Sequence, residues 1–142
     1  MDQLKALSKP FSEKLVQKKP GGAGGDYVSH SAVTERALSV VGPYSLEVAQ
    51  LIFEADGMVS GALVTIVCEI DGKTVRITEA GDVENPARHK TNGARAKDAL
   101  SDGVKRCWMR LGLGLSLWSG DKYFLDKMLE RDYPAEPSVK AA

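Results

Sequence analysis

Positive charge in this chain is concentrated in one short segment. Between residues 88 and 110, seven cationic side chains face only two carboxylates. The cations are Arg88, Lys90, Arg95, Lys97, Lys105, Arg106 and Arg110. Guanidinium and ammonium groups at this density favour phosphate binding, because each neutralised phosphate releases condensed counterions. The chemistry indicated is reversible binding of a polyanion, and no catalytic residue is predicted.

The segment before this basic window is acidic. Between residues 37 and 87, eight carboxylates face two cations. The formal net charge of the 142-residue chain is zero, so the total conceals a strong segregation of charge. Polyanion binding depends on the local potential and not on the total charge. An ordinary solvated helix face is the alternative interpretation of the same basic window.

The basic window has the spacing of an amphipathic helix. Small or apolar residues recur at intervals of three and four positions from residue 96 to residue 111, which is typical of a helix with one buried stripe. At about 100° per residue, the opposite side is predicted to expose four cations and two carboxylates. These are Arg95, Asp98, Asp102, Lys105, Arg106 and Arg110. Lys97 is predicted nearer the boundary with the buried stripe.

The remaining pattern predicts an α+β fold. A helix is predicted over residues 32–41, capped by Ser31 and ended by Gly42-Pro43. Strands are predicted at 44–54, 61–70 and 73–79, with a two-residue hairpin at Asp71-Gly72. We therefore expect a helix, a three-stranded antiparallel β-sheet, the long basic helix packed on the sheet, and a short C-terminal helix over residues 122–130.

Composition divides the chain into three parts. Residues 1–26 are predicted to form a helical segment, interrupted by Pro10, and a glycine-rich linker. Residues 27–131 are predicted to form the core, and residues 132–142 a flexible tail. The glycine run at 21–25 lacks the lysine and hydroxyl residue of a phosphate-binding loop, so no nucleotide cofactor is expected.

Neither a metal site nor a membrane span is expected. Cys68 and Cys107 lie in apolar patterns without a second ligand at zinc spacing, and both are predicted to be buried, reduced thiols. His30 and His89 likewise lack a companion ligand. Trp108 is predicted to pack in the core. No apolar run approaches about 18 residues and the N-terminus is not a secretory signal, so a cytoplasmic location is expected.

Several short blocks occur in the same order as in a known family. They are Tyr27-Val28-Ser29-His30, Val41-Gly42, the pair Asp71-Gly72 with Gly81 after it, residues 99–106 (ALSDGVKR) followed by Gly112, and residues 121–127 (DKYFLDK). In these blocks the chain resembles the Rad52 type of single-strand annealing proteins, in the short form that many phages encode. The resemblance covers about residues 4–129.

The resemblance implies a role in homologous recombination and DNA repair. Proteins of this type bind single-stranded DNA and anneal complementary strands without ATP on a closed homo-oligomeric ring. Lys105 and Arg106 correspond to the family's basic pair, and Lys97 to its earlier basic position on the same helix. Ala32 and Ile70 stand where eukaryotic members have basic residues. Further partners implied are a single-stranded DNA-binding protein or an exonuclease, in the cytoplasm of a bacterial host if the protein is phage-encoded.

Nine residues are predicted to contact single-stranded DNA. They are Lys97, Lys105, Arg106, Arg110, Arg76, Arg88, Lys90, Arg95 and Arg36. The resemblance implies that Lys105 and Arg106 would hold phosphates, that Arg110 and Lys97 would support the groove, and that Arg76, Arg88 and Lys90 would line its other wall.

Two other classes of protein fit parts of the pattern. A helix, three strands and a basic helix also describe a double-stranded RNA-binding domain, although such a domain is about half as long. A metal-dependent nuclease would use the acidic middle segment. Its carboxylates would be Glu69, Asp71, Glu79, Asp82 and Glu84. Strand alternation sends neighbouring side chains to opposite faces, which favours a solvated sheet rim instead.

Overall fold

The structure is a computed structural model that describes residues 2–18 and 26–118. Its elements, in chain order, are α1 (Asp2–Ser8), β1 (Val16–Lys18), β2 (Asp26–Val28), α2 (His30–Val40), β3 (Ser45–Phe53), β4 (Val59–Ile70), β5 (Lys73–Asp82), α3 (Asn92–Met109) and α4 (Leu115–Trp118). The predicted α+β class is confirmed. The predicted C-terminal helix and tail, and the glycine run at 21–25, lie outside the described residues.

Strands β3, β4 and β5 form an antiparallel sheet in that order. The predicted hairpin between β4 and β5 is confirmed: Asp71 and Gly72 have φ values of 51° and 77°, and two successive positive φ angles are typical of the type I′ turn that matches strand twist. In the resulting register Thr65 lies opposite Thr78, and their hydroxyl oxygens are 2.7 Å apart. Strand β5 continues to Asp82, three residues beyond its predicted end.

Helix α3 lies across β4 and β5, as predicted, and covers one face of both strands. The side chains of β4 that point toward it are buried. They are Ala62, Val64, Ile66, Cys68 and Ile70. Strand β3 lies beside this layer, and eight of its nine residues are exposed. The helix therefore protects two strands of the described sheet and leaves the third strand open.

Two glycines allow α3 to approach the sheet closely. A Cβ atom on Gly81 of β5 would overlap the carbonyl oxygen of Ala99 and the backbone nitrogen of Gly103, both on α3. A Cβ atom on Gly103 would lie 2.6 Å from Cγ2 of Val64. The backbones of helix and strand are thus in direct contact at this point, and only glycine fits between them.

The other helices complete a single core with α3. Leu7 of α1, Val33 and Ala37 of α2, and Leu113 after α3 are fully buried. Trp108 is also fully buried, as predicted, and its ring meets that of Tyr44 edge-on at 5.0 Å between centroids. Such pairs stabilise a core beyond the apolar area they bury.

Both cysteines are buried free thiols, as predicted. Burial raises the pKa of Cys68 and of Cys107. Desolvation disfavours the charged thiolate, so both side chains stay protonated at neutral pH and act as small apolar groups.

The N-terminal half departs from prediction in two places. The cap of α2 is Ser29 and not Ser31, because the extended backbone of Ser29 lets its Oγ accept a hydrogen bond from the Ala32 N–H at 3.2 Å. The short ribbon of β1 and β2, in which Val16 pairs with Val28, has no counterpart in the sequence analysis. Three-residue strands carry too little alternation to be recognised.

No helix within residues 2–18 and 26–118 combines the length and the apolar character of a membrane span.

We expect Gly81→Ala to lower the free energy of unfolding by about 3 kcal/mol or more, because backbone atoms surround the added methyl group. Gly103→Ala should cost less, since the Val64 side chain can rotate and alanine favours the helix. Urea unfolding measures both. Gly93→Ala is the matched control, because nothing lies within 4 Å of its added Cβ. Equal stability of the Gly81 variant and this control would contradict the close contact.

Candidate nucleic-acid interface

Helix α3 presents one line of side chains away from the sheet. Its N-cap is Thr91, whose hydroxyl accepts a hydrogen bond from the Ala94 N–H. Lys97, Ser101 and Lys105 follow at intervals of four residues, which aligns them along the helix surface. Lys97 is exposed and Lys105 is half-buried. The two lysines thus lie about two turns, or about 12 Å, apart on one rigid element.

Arg106 projects from the side of α3 that faces the end of β5. Its Nε donates a hydrogen bond of 3.0 Å to Oδ2 of Asp102. This bond and the charge of Asp102 raise the pKa of Arg106 above its usual value. About half of the Arg106 side chain is exposed, so the guanidinium stays accessible while Asp102 orients it.

The prediction that Asp98 and Asp102 lie on the exposed face of the helix is wrong. Asp102 is 7% exposed, and its Oδ2 also accepts the backbone N–H of Asp82 at 2.9 Å. Oδ2 of Asp98 accepts the backbone N–H of Glu84 at 2.8 Å and lies 3.6 Å from Nε2 of His89. Both carboxylates therefore hold the end of β5 and the segment after it against α3.

Arg110, at the C-cap of α3, forms an ion pair with Glu79 of β5. Arg76 forms an ion pair of 2.8 Å with Glu47 of β3. Strand alternation places Glu79 on the face of the sheet that α3 covers and Arg76 on the opposite face. The structure therefore brings Arg110 near the α3 cations and does not bring Arg76 to the same surface.

Arg88 and Lys90 lie in the segment between β5 and α3, and both are exposed. Within the described residues, neither forms an ion pair with a carboxylate. Their chain position just before α3 keeps them near the N-terminal end of that helix.

Arg95 is not on the exposed face, contrary to prediction. It is 6% exposed, and its Nε donates to the carbonyl oxygen of Val59 at 2.6 Å. Its Nη1 lies within 3.4 Å of the carbonyl oxygens of Pro86 and His89. The guanidinium connects α3 to the start of β4 and to the loop between β5 and α3. Its donors are therefore already engaged by backbone carbonyl groups.

Arg36 also has a structural role that the sequence analysis missed. Its Nη1 donates to the carbonyl oxygens of Ala6, Leu7 and Lys9, the last at 2.7 Å. Its guanidinium also stacks on the ring of Phe11, 4.3 Å from the centroid. Burial lowers the pKa of Arg36. Arg36 thus closes the end of α1, where unpaired carbonyl groups favour a cation.

His30 lies near the candidate surface, and the spacing of residues in the sequence alone could not predict this position. It begins α2, which packs against α3, and burial together with the charge of Lys105 lowers its pKa. The contact between the two helices joins residues 75 positions apart, and no local pattern encodes such a contact.

The surface that remains is defined by Lys97, Lys105, Arg106 and Arg110, and we call it the α3 cation surface. It combines two lysines that are aligned along the helix with two arginines that are oriented by ion pairs, Arg106 with Asp102 and Arg110 with Glu79. Such an arrangement can bind successive phosphates of a polyanion through charge-assisted hydrogen bonds. Within the described residues, no cluster of three or more His, Cys, Asp or Glu side chains could hold a metal ion.

The model of the Rad52/22 family double-strand break repair protein matches residues 1–136, which is nearly the whole chain. No curated protein matches the chain.

We expect Lys105→Ala to raise the pKa of His30, because removal of a nearby positive charge favours the protonated imidazole. The pKa should still stay below that of an exposed histidine, since burial is the larger cause of its depression. NMR titration of the two histidines measures this. Lys97→Ala is the control and should leave His30 unchanged; an equal shift in both variants would contradict the proximity of His30 and Lys105.

Proposed function

Because this chain belongs to the Rad52/22 family of double-strand break repair proteins, we propose that it binds single-stranded DNA and anneals complementary strands during recombination. The α3 cation surface is the observation that carries this proposal. It is rigid, since α3 rests on the sheet backbone at Gly81. It is also accessible, since Lys97, Arg106 and Arg110 are exposed.

Lys105 and Arg106 are the proposed central phosphate contacts. Lys97 extends the contact toward the N-terminus of α3, and Arg110 toward its C-terminus. Arg88 and Lys90 add charge beside the N-terminal end. Arg95 and Arg36 are left out of this set because backbone carbonyl groups occupy their donors, and Arg76 because it lies on the other face of the sheet.

The proposed activity is physical and needs no catalytic residue. Two complementary strands repel each other through their phosphates, and a cationic surface lowers that repulsion while the bases stay free to pair. Once pairing begins, stacking contributes about 1.4 kcal/mol per base-pair step, which drives annealing without a nucleotide cofactor.

We propose further that several copies of the chain assemble through β3. Four apolar residues of this strand, Leu46, Val48, Ile52 and Phe53, are between 38% and 55% exposed. β3 is an edge of the sheet formed by the described residues, so its outer backbone groups are open to pairing. An apolar edge strand of this kind is an aggregation hazard unless another chain covers it. A second copy would cover it and extend the α3 cation surface into a longer track.

Lys105→Ala combined with Arg106→Ala is expected to weaken binding of a labelled single-stranded oligonucleotide at least tenfold. The slope of log affinity against log salt should fall by up to about two, at most one for each lost phosphate contact. Fluorescence anisotropy over a salt series measures both quantities. Annealing of complementary oligonucleotides without ATP should slow in parallel.

The matched control for this experiment is Lys9→Ala combined with Lys73→Ala, which removes the same charge from two exposed lysines away from α3. Equal weakening in both double variants would mean that only net charge matters. Preference of the wild type for duplex RNA over single-stranded DNA would favour an RNA-binding domain instead.

Leu46→Lys combined with Val48→Lys is expected to dissociate the assembly, because two buried ammonium groups at a subunit contact lack partners. Native mass spectrometry measures the change in mass. Leu15→Lys with Leu38→Lys is the control, since these leucines have similar exposure but lie outside β3. A wild type that is monomeric at every concentration, or a β3 variant of unchanged mass, would contradict assembly through β3.

A further inference from the structure

The ion pair between Arg110 and Glu79 joins two very different side chains. Arg110 is 64% exposed, whereas Glu79 is only 19% exposed. Arg110 sits at the end of a helix and can swing outward. Glu79 lies within β5, opposite Val64 of β4, and on the side of the sheet that packs against α3. The carboxylate is therefore the fixed partner and the guanidinium the mobile one.

The pair also differs from the neighbouring pair of Arg106 and Asp102. The Asp102 carboxylate accepts a backbone N–H from Asp82 in addition to Arg106, so it has a structural donor of its own. Among the described residues, the Glu79 carboxylate accepts a hydrogen bond from Arg110 and from no other donor. Glu79 thus depends on Arg110, and any group that binds Arg110 must compete with Glu79.

We propose that Glu79 is a built-in competitor for phosphate at Arg110 and thereby sets the affinity and salt sensitivity of nucleic-acid binding. This inference rests on the proposed function of the α3 cation surface. In the free protein the Glu79 carboxylate forms an ion pair with the Arg110 guanidinium. When a phosphate binds Arg110 instead, the nearly immobile Glu79 carboxylate stays close to the negative charge of the phosphate. Glu79 then takes up a cation from solution as its counterion.

The exchange has a measurable consequence for the salt dependence. A lysine or arginine that is free in the unbound protein adds about one unit to the salt slope when it neutralises a phosphate. Arg110 adds less, because counterion release from the DNA is offset by counterion uptake at Glu79. Loss of the Glu79 charge should remove this offset.

Glu79→Gln is the variant that tests the proposal, because it removes the charge and keeps the shape of the side chain. We expect single-stranded oligonucleotide binding to strengthen about three- to tenfold, the range given by one exposed ion pair and one relieved repulsion. The salt slope should steepen by up to about one unit. In an Arg110→Ala background, the same Glu79→Gln change should strengthen binding less than twofold.

Glu69→Gln is the matched control, since it removes one exposed carboxylate from the same sheet, and Glu69 forms no ion pair within the described residues. It should change binding less than twofold. Thermal unfolding of each variant verifies that the fold is intact.

The outcomes separate this inference from the proposed function. If the wild type binds single-stranded DNA and Glu79→Gln binds no more tightly, the competitor role is wrong while the function stands. Equal strengthening with and without Arg110, or equal strengthening by Glu69→Gln, would show a general charge effect and also overturn the role. A wild type that ignores single-stranded DNA at low ionic strength would overturn both.

Discussion

The direct contact between the backbones of α3 and β5 is the constraint on which the rest of the structure depends. With glycine at positions 81 and 103, the helix lies against the strand with no side chain between them. This contact brings Asp102 within reach of the Asp82 N–H and Arg110 within reach of Glu79. A helix held farther away would lose these contacts, so the orientation of the cations follows from the absence of two methyl groups.

Carboxylates next to the α3 cation surface organise it instead of merely diluting its charge. Asp98 and Asp102 bind backbone donors of the segment after β5, and Asp102 also orients Arg106. A basic helix without these acids would carry more charge, but its arginines would lose rotamer freedom on binding, which costs free energy. The acidic middle of the sequence thus supplies the partners that give the basic segment a defined geometry.

Local chemistry made much of the fold predictable. The Asp71-Gly72 turn, the alternation in β5 and the apolar stripe that buries Trp108 all act over a few residues. The errors among the candidate site residues have a different origin, because they involve partners far away in sequence. A helical wheel assumes that a helix buries only one side. In this structure the segment between β5 and α3 covers a second side of α3, and this buries Arg95 and Asp102. Arg36 was misassigned for the same reason, since its acceptors lie about 30 positions earlier.

The attachment of α1 has a consequence for the order in which the chain acquires its structure. A seven-residue helix is too short to persist alone in water, and here the carbonyl oxygens of Ala6 and Leu7 near its end accept hydrogen bonds from Arg36. Its Gln3 side chain accepts the backbone N–H of Asp71, 68 positions later, at 2.6 Å. Helix α1 therefore becomes stable only once α2 and the β4–β5 hairpin have formed, so it is among the last of the described elements to become native.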